Sequence, residues 1–180
     1  MGIETNTNLI ATGSNQMNNN ENVNLSLTNI WTLTCLDSDG NIKWSETKKN
    51  LITTEGLNHI LDTQFHAGTA VTTWYIGLKG AGTPAAGDTL ASHSTWTEVA
   101  DYAGTRKEWT EGAAASGSMT NASSVDFAVN GTATVAGAFL ASPTSGTTGT
   151  LYGVVDFASS RSVISGDTLQ VTVTVTAASS

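Results

Sequence analysis

The sequence predicts an all-β protein, a β-sandwich or jelly roll that carries one short α-helix. Most apolar residues beyond residue 30 alternate with Thr, Ser or Asn, which is the period of a strand with one buried face. Turn residues recur at spacings of about 8–12 positions, as they do in sandwiches and jelly rolls. Only residues 54–65 have helical spacing, so the predicted helix is single and short.

The chain is predicted to divide into an N-terminal arm, residues 1–29, and a single sandwich domain, residues 30–180. The arm holds nine asparagines and few apolar residues, so it cannot bury enough surface to fold alone. Two interpretations stay open: a tail without a partner, or an arm that becomes ordered against a neighbouring subunit. In the second, the anchors are five apolar residues: Leu9, Ile10, Val23, Leu25 and Leu27.

The first predicted strands form a hairpin. Trp31, Leu33 and Cys35 share one face of a strand over residues 30–36. A turn at residues 37–40 ends in Gly40, which tolerates a positive φ, and residues 41–47 return as the partner strand. Cys35 is the chain's single cysteine, and its position on the apolar face predicts a small buried side chain rather than a reactive thiol.

The helix is predicted to cover the core. Thr53 or Thr54 supplies the N-cap hydroxyl, and Glu55 places negative charge in the first turn, where the helix dipole favours it. A strand over residues 74–79 follows. Four residues are predicted to enter the core from this region, so that truncating one of them to alanine would cost about 2–5 kcal/mol: Leu57, Ile60, Leu61 and Trp74.

The rest of the chain is predicted to alternate between loops and strands. Residues 80–88 and 112–122 are rich in Gly, Ala and Ser and are predicted to be loops, the first of them flexible. Asn130-Gly131 is typical of a hairpin turn. The remaining predicted strands are two short pieces within residues 96–109, and residues 125–129, 133–140, 150–157, 162–164 and 169–176.

Charge and composition exclude several classes of function. The chain has 180 residues and a net charge of −8, and only 12% of its residues are charged. An acidic surface repels phosphate backbones, so we expect no nucleic-acid binding. No run approaches the roughly 20 apolar residues that span a membrane. The N-terminus does not resemble a signal peptide, so we expect synthesis in a cytoplasm.

No catalytic, metal or cofactor site is predicted. His59, His66 and His93 lack the spacing of known metal motifs, although Asp62 would offer a further ligand. The glycine-rich loop lacks the Lys-Ser/Thr that follows a phosphate-binding loop. A cluster of acids and aromatics allows a glycosidase cleft, a sugar site on an exposed Trp, or cross-strand packing with an Arg106 salt bridge, of which packing is favoured. The cluster comprises Glu98, Asp101, Glu108, Glu111, Trp96, Tyr102 and Trp109.

Four segments resemble small virion proteins of tailed bacteriophages. They are residues 50–62, 73–78, 96–102 and 106–109, and the resemblance covers roughly residues 30–176. Proteins of this group are described as structural, decoration or head-associated. The resemblance therefore implies a non-enzymatic virion component, and it supplies no catalytic residue, metal or cofactor.

The resemblance and the acidic charge together predict a capsid decoration (cement) protein on the outer head surface. Its expected partner is the major capsid protein or another virion protein, and we expect a homo-oligomer, a trimer or dimer. It would be assembled in the host bacterial cytoplasm and reside in the virion. The alternative is a tail, neck or fibre component that binds a partner protein or a host glycan.

Overall fold

A computed structural model describes residues 25–179. Within this range the elements follow one another in this order: β1 (Leu25–Leu36), β2 (Ile42–Lys49), β3 (Leu51–Ile52), α1 (Thr54–Phe65), β4 (Tyr75–Lys79), β5 (Glu98–Val99), β6 (Lys107–Glu108), β7 (Ser118–Thr120), β8 (Val125–Ala128), β9 (Ala133–Ala141), β10 (Leu151–Val163) and β11 (Thr168–Ser179). The bounds of α1 are those predicted from the sequence.

The strands form two antiparallel sheets. Sheet A has the order β2-β1-β11-β7, and β8 also pairs with β11. Sheet B has the order β3-β10-β9-β4-β5, and β6 also pairs with β4. Buried side chains from both sheets form one apolar core. The predicted all-β sandwich with one helix is therefore confirmed, whereas its jelly-roll form stays a prediction.

The alternation of the two long strands of sheet A places the predicted residues in the core. Trp31 and Leu33 on β1 face the core, as do the alternate residues of β11 from Leu169 to Val173. Cys35 is fully buried, as predicted. Burial raises the pKa of its thiol to about 11, and the nearby Asp167 carboxylate adds to the rise, so the thiol stays protonated and unreactive at neutral pH.

Some elements differ from the prediction at their ends or in their number. β1 begins at Leu25, five residues before the predicted start, because it pairs with β11 as far as Ser179. β10 is one strand where two were predicted, and its pairing with β9 shifts register between Asp156 and Arg161. β3 and the short edge strand β7 were not predicted, since two or three residues are too few to show a period.

The Asn130-Gly131 turn does not close a hairpin, so this prediction is wrong. β8, before the turn, pairs with β11 in sheet A, whereas β9, after it, pairs with β10 and β4 in sheet B. The turn residues therefore reverse the chain from one sheet to the other. Local turn chemistry favours a tight reversal, but it does not decide which strands pair.

The connection between β4 and β5, which begins with the predicted flexible loop of residues 80–88, covers a second, smaller apolar cluster on the outer face of sheet B. Trp96 and Leu90 from this long connection pack against Phe139 and Val154. The indole Nε1 of Trp96 donates to the Asp88 carboxylate over 2.8 Å. Buried apolar contacts and specific hydrogen bonds hold the connection on the sheet, so its glycines and Pro84 shape a fixed conformation.

A buried carboxylate fixes the turn between β10 and β11. The side chain of Asp167 is 2% exposed and accepts hydrogen bonds from Lys43 Nζ at 2.6 Å and from the Ile164 amide at 2.9 Å. Burial by itself acts to raise the pKa of this carboxyl, but the hydrogen bonds from Lys43 and Ile164 outweigh it and hold the pKa below its ordinary value.

Asp167 is expected to make the fold sensitive to acid. Because its folded pKa lies below the unfolded value of about 3.9, its stabilising contribution is fully present above that value and is lost as pH falls through the folded pKa. Melting temperatures of wild type and Asp167→Asn should therefore differ at neutral pH and converge as the pH is lowered from about 5 to about 2. A constant difference across this range would contradict the assignment.

Candidate interaction surface

Helix α1 is attached to the end of β10 through its first turn. Thr53 is the N-cap: its hydroxyl accepts from the Gly56 amide at 3.1 Å and donates to the Leu151 carbonyl. The Glu55 carboxylate accepts from the amides of Leu90 at 3.0 Å and Leu151 at 2.7 Å. The cap and the acidic first turn predicted from the sequence therefore also join the helix to the sheet.

The rotation of the helix about its axis is set by a glycine. Gly56 is the buried residue of α1, and a Cβ built on it would lie 2.1 Å from the backbone oxygen of Tyr152. The helix backbone thus rests directly on β10, with the Gly56 side of α1 facing the sandwich. Ile60 packs partly buried against the core.

This rotation leaves an apolar stripe on the outer side of α1. Leu57, Leu61 and Phe65 recur every fourth residue and are 43%, 55% and 81% exposed. The prediction that Leu57 and Leu61 belong to the core is therefore wrong, whereas Ile60 and Trp74 do pack against it. Spacing identified an apolar face, but the close approach at Gly56 turned that face partly away from the sandwich.

Truncating Leu61 to alanine is now expected to change the free energy of unfolding by no more than about 0.5 kcal/mol, as at other surface positions. Ile60→Ala in the same helix should cost more, because Ile60 packs against the core. Denaturant unfolding of both variants measures the difference. Equal losses would mean that the helix does not dock through the Gly56 side.

One charged side chain borders the stripe. Asp62 lies three residues before Phe65, projects about 60° from it around the helix axis and is 60% exposed. The other flanking positions hold Thr54, Asn58 and Gln64, which are uncharged. The outer half of α1 is therefore apolar at its centre and carries one carboxylate at its edge.

An apolar cleft opens beside α1, between the two sheets and the side of the helix that faces away from the stripe. We call it the end cleft; its volume is about 360 Å³. No Lys, Arg, Asp or Glu lines it. Its lining residues come from both sheets, α1 and the segment after α1: Leu27, His59, Ile60, Thr63, Gln64, Ala70, Val71, Trp74, Trp109, Met119, Leu140, Tyr152 and Val175.

The predicted arm anchors fall in two groups. Leu9, Ile10 and Val23 lie outside the described residues. Leu25 and Leu27 belong to β1, where Leu25 is 73% exposed and Leu27 lines the end cleft. Their role as intermolecular anchors stays a prediction.

The three histidines considered as metal ligands lie against aromatic rings or beside a carboxylate. His93 stacks on Trp96, with ring centroids 4.0 Å apart, and His59 meets Trp74 edge-on at 5.5 Å. No group of three His, Cys, Asp or Glu side chains in residues 25–179 is arranged to hold a metal ion. His66 lies 3.6 Å from the carboxylate of Asp62.

The acid and aromatic cluster has the packing arrangement that the sequence favoured. Arg106 donates to both carboxylate oxygens of Glu98, at 2.9 and 2.7 Å, and to the carbonyl oxygens of Pro143 and Gly146. Its guanidinium also lies over the Phe139 ring. Glu98 is thus part of a structural ion pair, and the predicted Arg106 salt bridge is confirmed.

The described residues offer no exposed tryptophan for the sugar site considered from the sequence. All five tryptophans lie in the described part of the chain: Trp31, Trp96 and Trp109 are buried, and Trp44 and Trp74 are partly buried. The interpretation of a sugar site on an exposed tryptophan therefore lacks its residue.

Within residues 25–179, no helix has the length and apolar content needed to cross a bilayer.

Comparison with known protein families shows what kind of protein presents this surface. The family described as podophage GP4 fiber I protein gp80 matches residues 48–178, which include all of α1 and sheet B. The chain belongs to this family. The protein is therefore a structural component of a bacteriophage virion, as the sequence predicted. Membership of a fiber family supports the tail or fibre alternative better than capsid decoration. No curated protein matches the chain.

Proposed function

We propose that the protein is a non-enzymatic structural subunit of a phage fibre. Membership of the fiber family over residues 48–178 carries this proposal. The arrangement of the titratable side chains agrees with it, because Glu98 and Asp167 are held in ion pairs with Arg106 and Lys43. A decoration role on the head, our expectation from charge and resemblance, has less support than the fibre.

We further propose that copies of the chain associate through the stripe on α1. Large exposed apolar side chains on one helix face are typical of interaction sites. A chain of net charge −8 approaches its own copy against electrostatic repulsion, so self-association is favoured at a contact with few acidic residues. The stripe provides such a contact, since Asp62 is the one acidic side chain that flanks it, and copies related by closed symmetry present it to one another.

The association is tested by introducing a charge into the stripe. Leu61→Asp is expected to weaken self-association by at least about thirtyfold, the loss typical of an interface hot spot. Ile42→Asp is the matched control, because Ile42 is also exposed and apolar but lies on β2. Sedimentation equilibrium should show weakened association for the first variant only. A monomeric wild type, or equal effects of the two changes, would exclude this surface.

The position in the virion is tested by abundance and labelling. Quantitative mass spectrometry of purified particles should give a copy number that is a small multiple of the number of fibres. Antibodies against the protein should label the tail region in electron micrographs. A copy number comparable with that of the major capsid protein, with label over the head, would restore the decoration role and exclude the fibre assignment.

A further inference from the structure

The end cleft is a second apolar site, and its lining includes none of the three stripe residues Leu57, Leu61 and Phe65. Trp109, 4% exposed, and Leu140, 1% exposed, line its inner part, and Leu27 and Val175 line it from sheet A. A cavity of about 150 Å³ holds a benzene-sized group, so about 360 Å³ has room for two leucine-sized side chains. Moving such side chains out of water into an apolar cleft is favourable.

We propose that the occupant of the end cleft is the N-terminal segment of the same chain, with Leu9 and Ile10 seated between the two sheets. The segment joins the described structure at Leu25, two residues before Leu27 on the cleft wall. The proposal does not depend on the fibre assignment or on association through α1.

The length of the connection allows this docking within one molecule. Fourteen residues, 11–24, separate Ile10 from Leu25. Fully extended they span about 46–50 Å, and a chain that reverses direction uses about half of this to return to its own cleft. A tethered group of this kind reaches its site at an effective concentration in the millimolar range, which favours the chain's own segment over that of a second copy.

The sequence of the segment fits the chemistry of the cleft. Leu9-Ile10 is the single pair of adjacent large apolar residues in residues 1–24, and residues 5–20 carry no charged side chain. Docking therefore buries no charge, which would be costly, and it meets no Lys, Arg, Asp or Glu in the cleft lining.

Disulfide trapping in the full-length chain tests the proposal. Gln64 lines the cleft and is exposed, so Gln64→Cys tolerates a new thiol, while Cys35 is buried. Leu9→Cys combined with Gln64→Cys is expected to form an intramolecular disulfide under mild oxidation. Asn19→Cys with Gln64→Cys is the control. Asn19 is nearer than Leu9 to Leu25 along the chain, so a segment that is tethered but not docked would bring residue 19 to the cleft at least as often as residue 9.

A rate measurement completes the test. In the single variant Gln64→Cys, thiol labelling should become about tenfold faster when Leu9 and Ile10 are both replaced by Asp, which corresponds to the loss of about 1.4 kcal/mol of protection. Replacing Asn19 and Asn20 by Asp gives the same charge change and should leave the rate unaltered.

A crosslink that forms within a monomer for the Leu9 pair and not for the Asn19 pair supports the proposal. Equal crosslinking of both pairs, unchanged labelling, or crosslinked dimers would overturn it.

Discussion

Replacing Lys79 with methionine is expected to lower the free energy of unfolding by about 3 kcal/mol, because the change leaves buried polar groups without a donor. The Lys79 side chain is fully buried at the end of β4. Its Nζ donates to the carbonyl oxygens of Gly80 and Gly82 and lies 2.6 Å from the Asp156 carboxylate. Methionine keeps most of the volume but makes none of these bonds.

The destabilisation by Lys79→Met should affect mainly the connection between β4 and β5, residues 80–97, which covers sheet B. The two carbonyl groups belong to its first residues, each unsatisfied group costs about 1–3 kcal/mol, and Asp156 is 38% exposed and regains water. For a chain of this size, about 3 kcal/mol corresponds to a drop of about 6–12 °C in melting temperature.

Lys49→Met provides the matched control for Lys79→Met. It removes the same charge from an exposed residue at the end of β2 and should change the melting temperature little, because surface changes have small effects. Calorimetry of both variants measures the contrast. Equal melting temperatures of the two variants would mean that water replaces the lysine without cost.

The predictable part of the fold consists of elements with a long, regular period. β11 alternates Leu and Val with polar residues, and its residues Leu169, Val171 and Val173 are all fully buried. The helix and both of its ends could be predicted because a capping hydroxyl and an acidic first turn coincide with the change from helical to strand period. Both signals are local, so a single sequence contains them.

Features that depend on contacts between distant segments were not predictable. The burial of Lys79 requires Asp156, 77 residues away, together with the loop carbonyls. The pairing of β8 with β11 rather than β9 is likewise decided by the whole sandwich. A lysine at the end of a strand is ordinarily exposed, and nothing near it in the sequence signals otherwise.

The candidate interaction surface was predicted in part. The apolar residues of α1 were identified, but Leu57 and Leu61 were assigned to the core, because spacing cannot tell which of two faces meets the sheet. The end cleft was not foreseen, since its walls come from both sheets, α1 and the connection after it. The one local signal for the orientation of α1 was Gly56, an unusual residue near the start of a helix.

Gly56→Ala is expected to destabilise the protein by about 2 kcal/mol, although the same change stabilises an ordinary helix by about 1 kcal/mol. The added Cβ would lie 2.1 Å from the Tyr152 oxygen and 2.8 Å from two further backbone atoms of Tyr152. A backbone strand held in sheet B cannot give way as a flexible side chain does, so α1 must move outward. Overpacking of this kind costs about 1–3 kcal/mol.

Gly87→Ala separates this clash from the general effect of replacing glycine. A Cβ at Gly87 would meet no atom within 4 Å, and its φ is not in the left-handed region, so the variant should be as stable as wild type or slightly more stable. Denaturant unfolding compares the two.

Because the displaced helix forms one wall of the end cleft, Gly56→Ala should also speed thiol labelling of Gln64→Cys in the same protein. Stabilisation of the Gly56→Ala variant would show that α1 does not rest on the Tyr152 backbone, and the exposure of the Leu57, Leu61 and Phe65 stripe would then need another explanation.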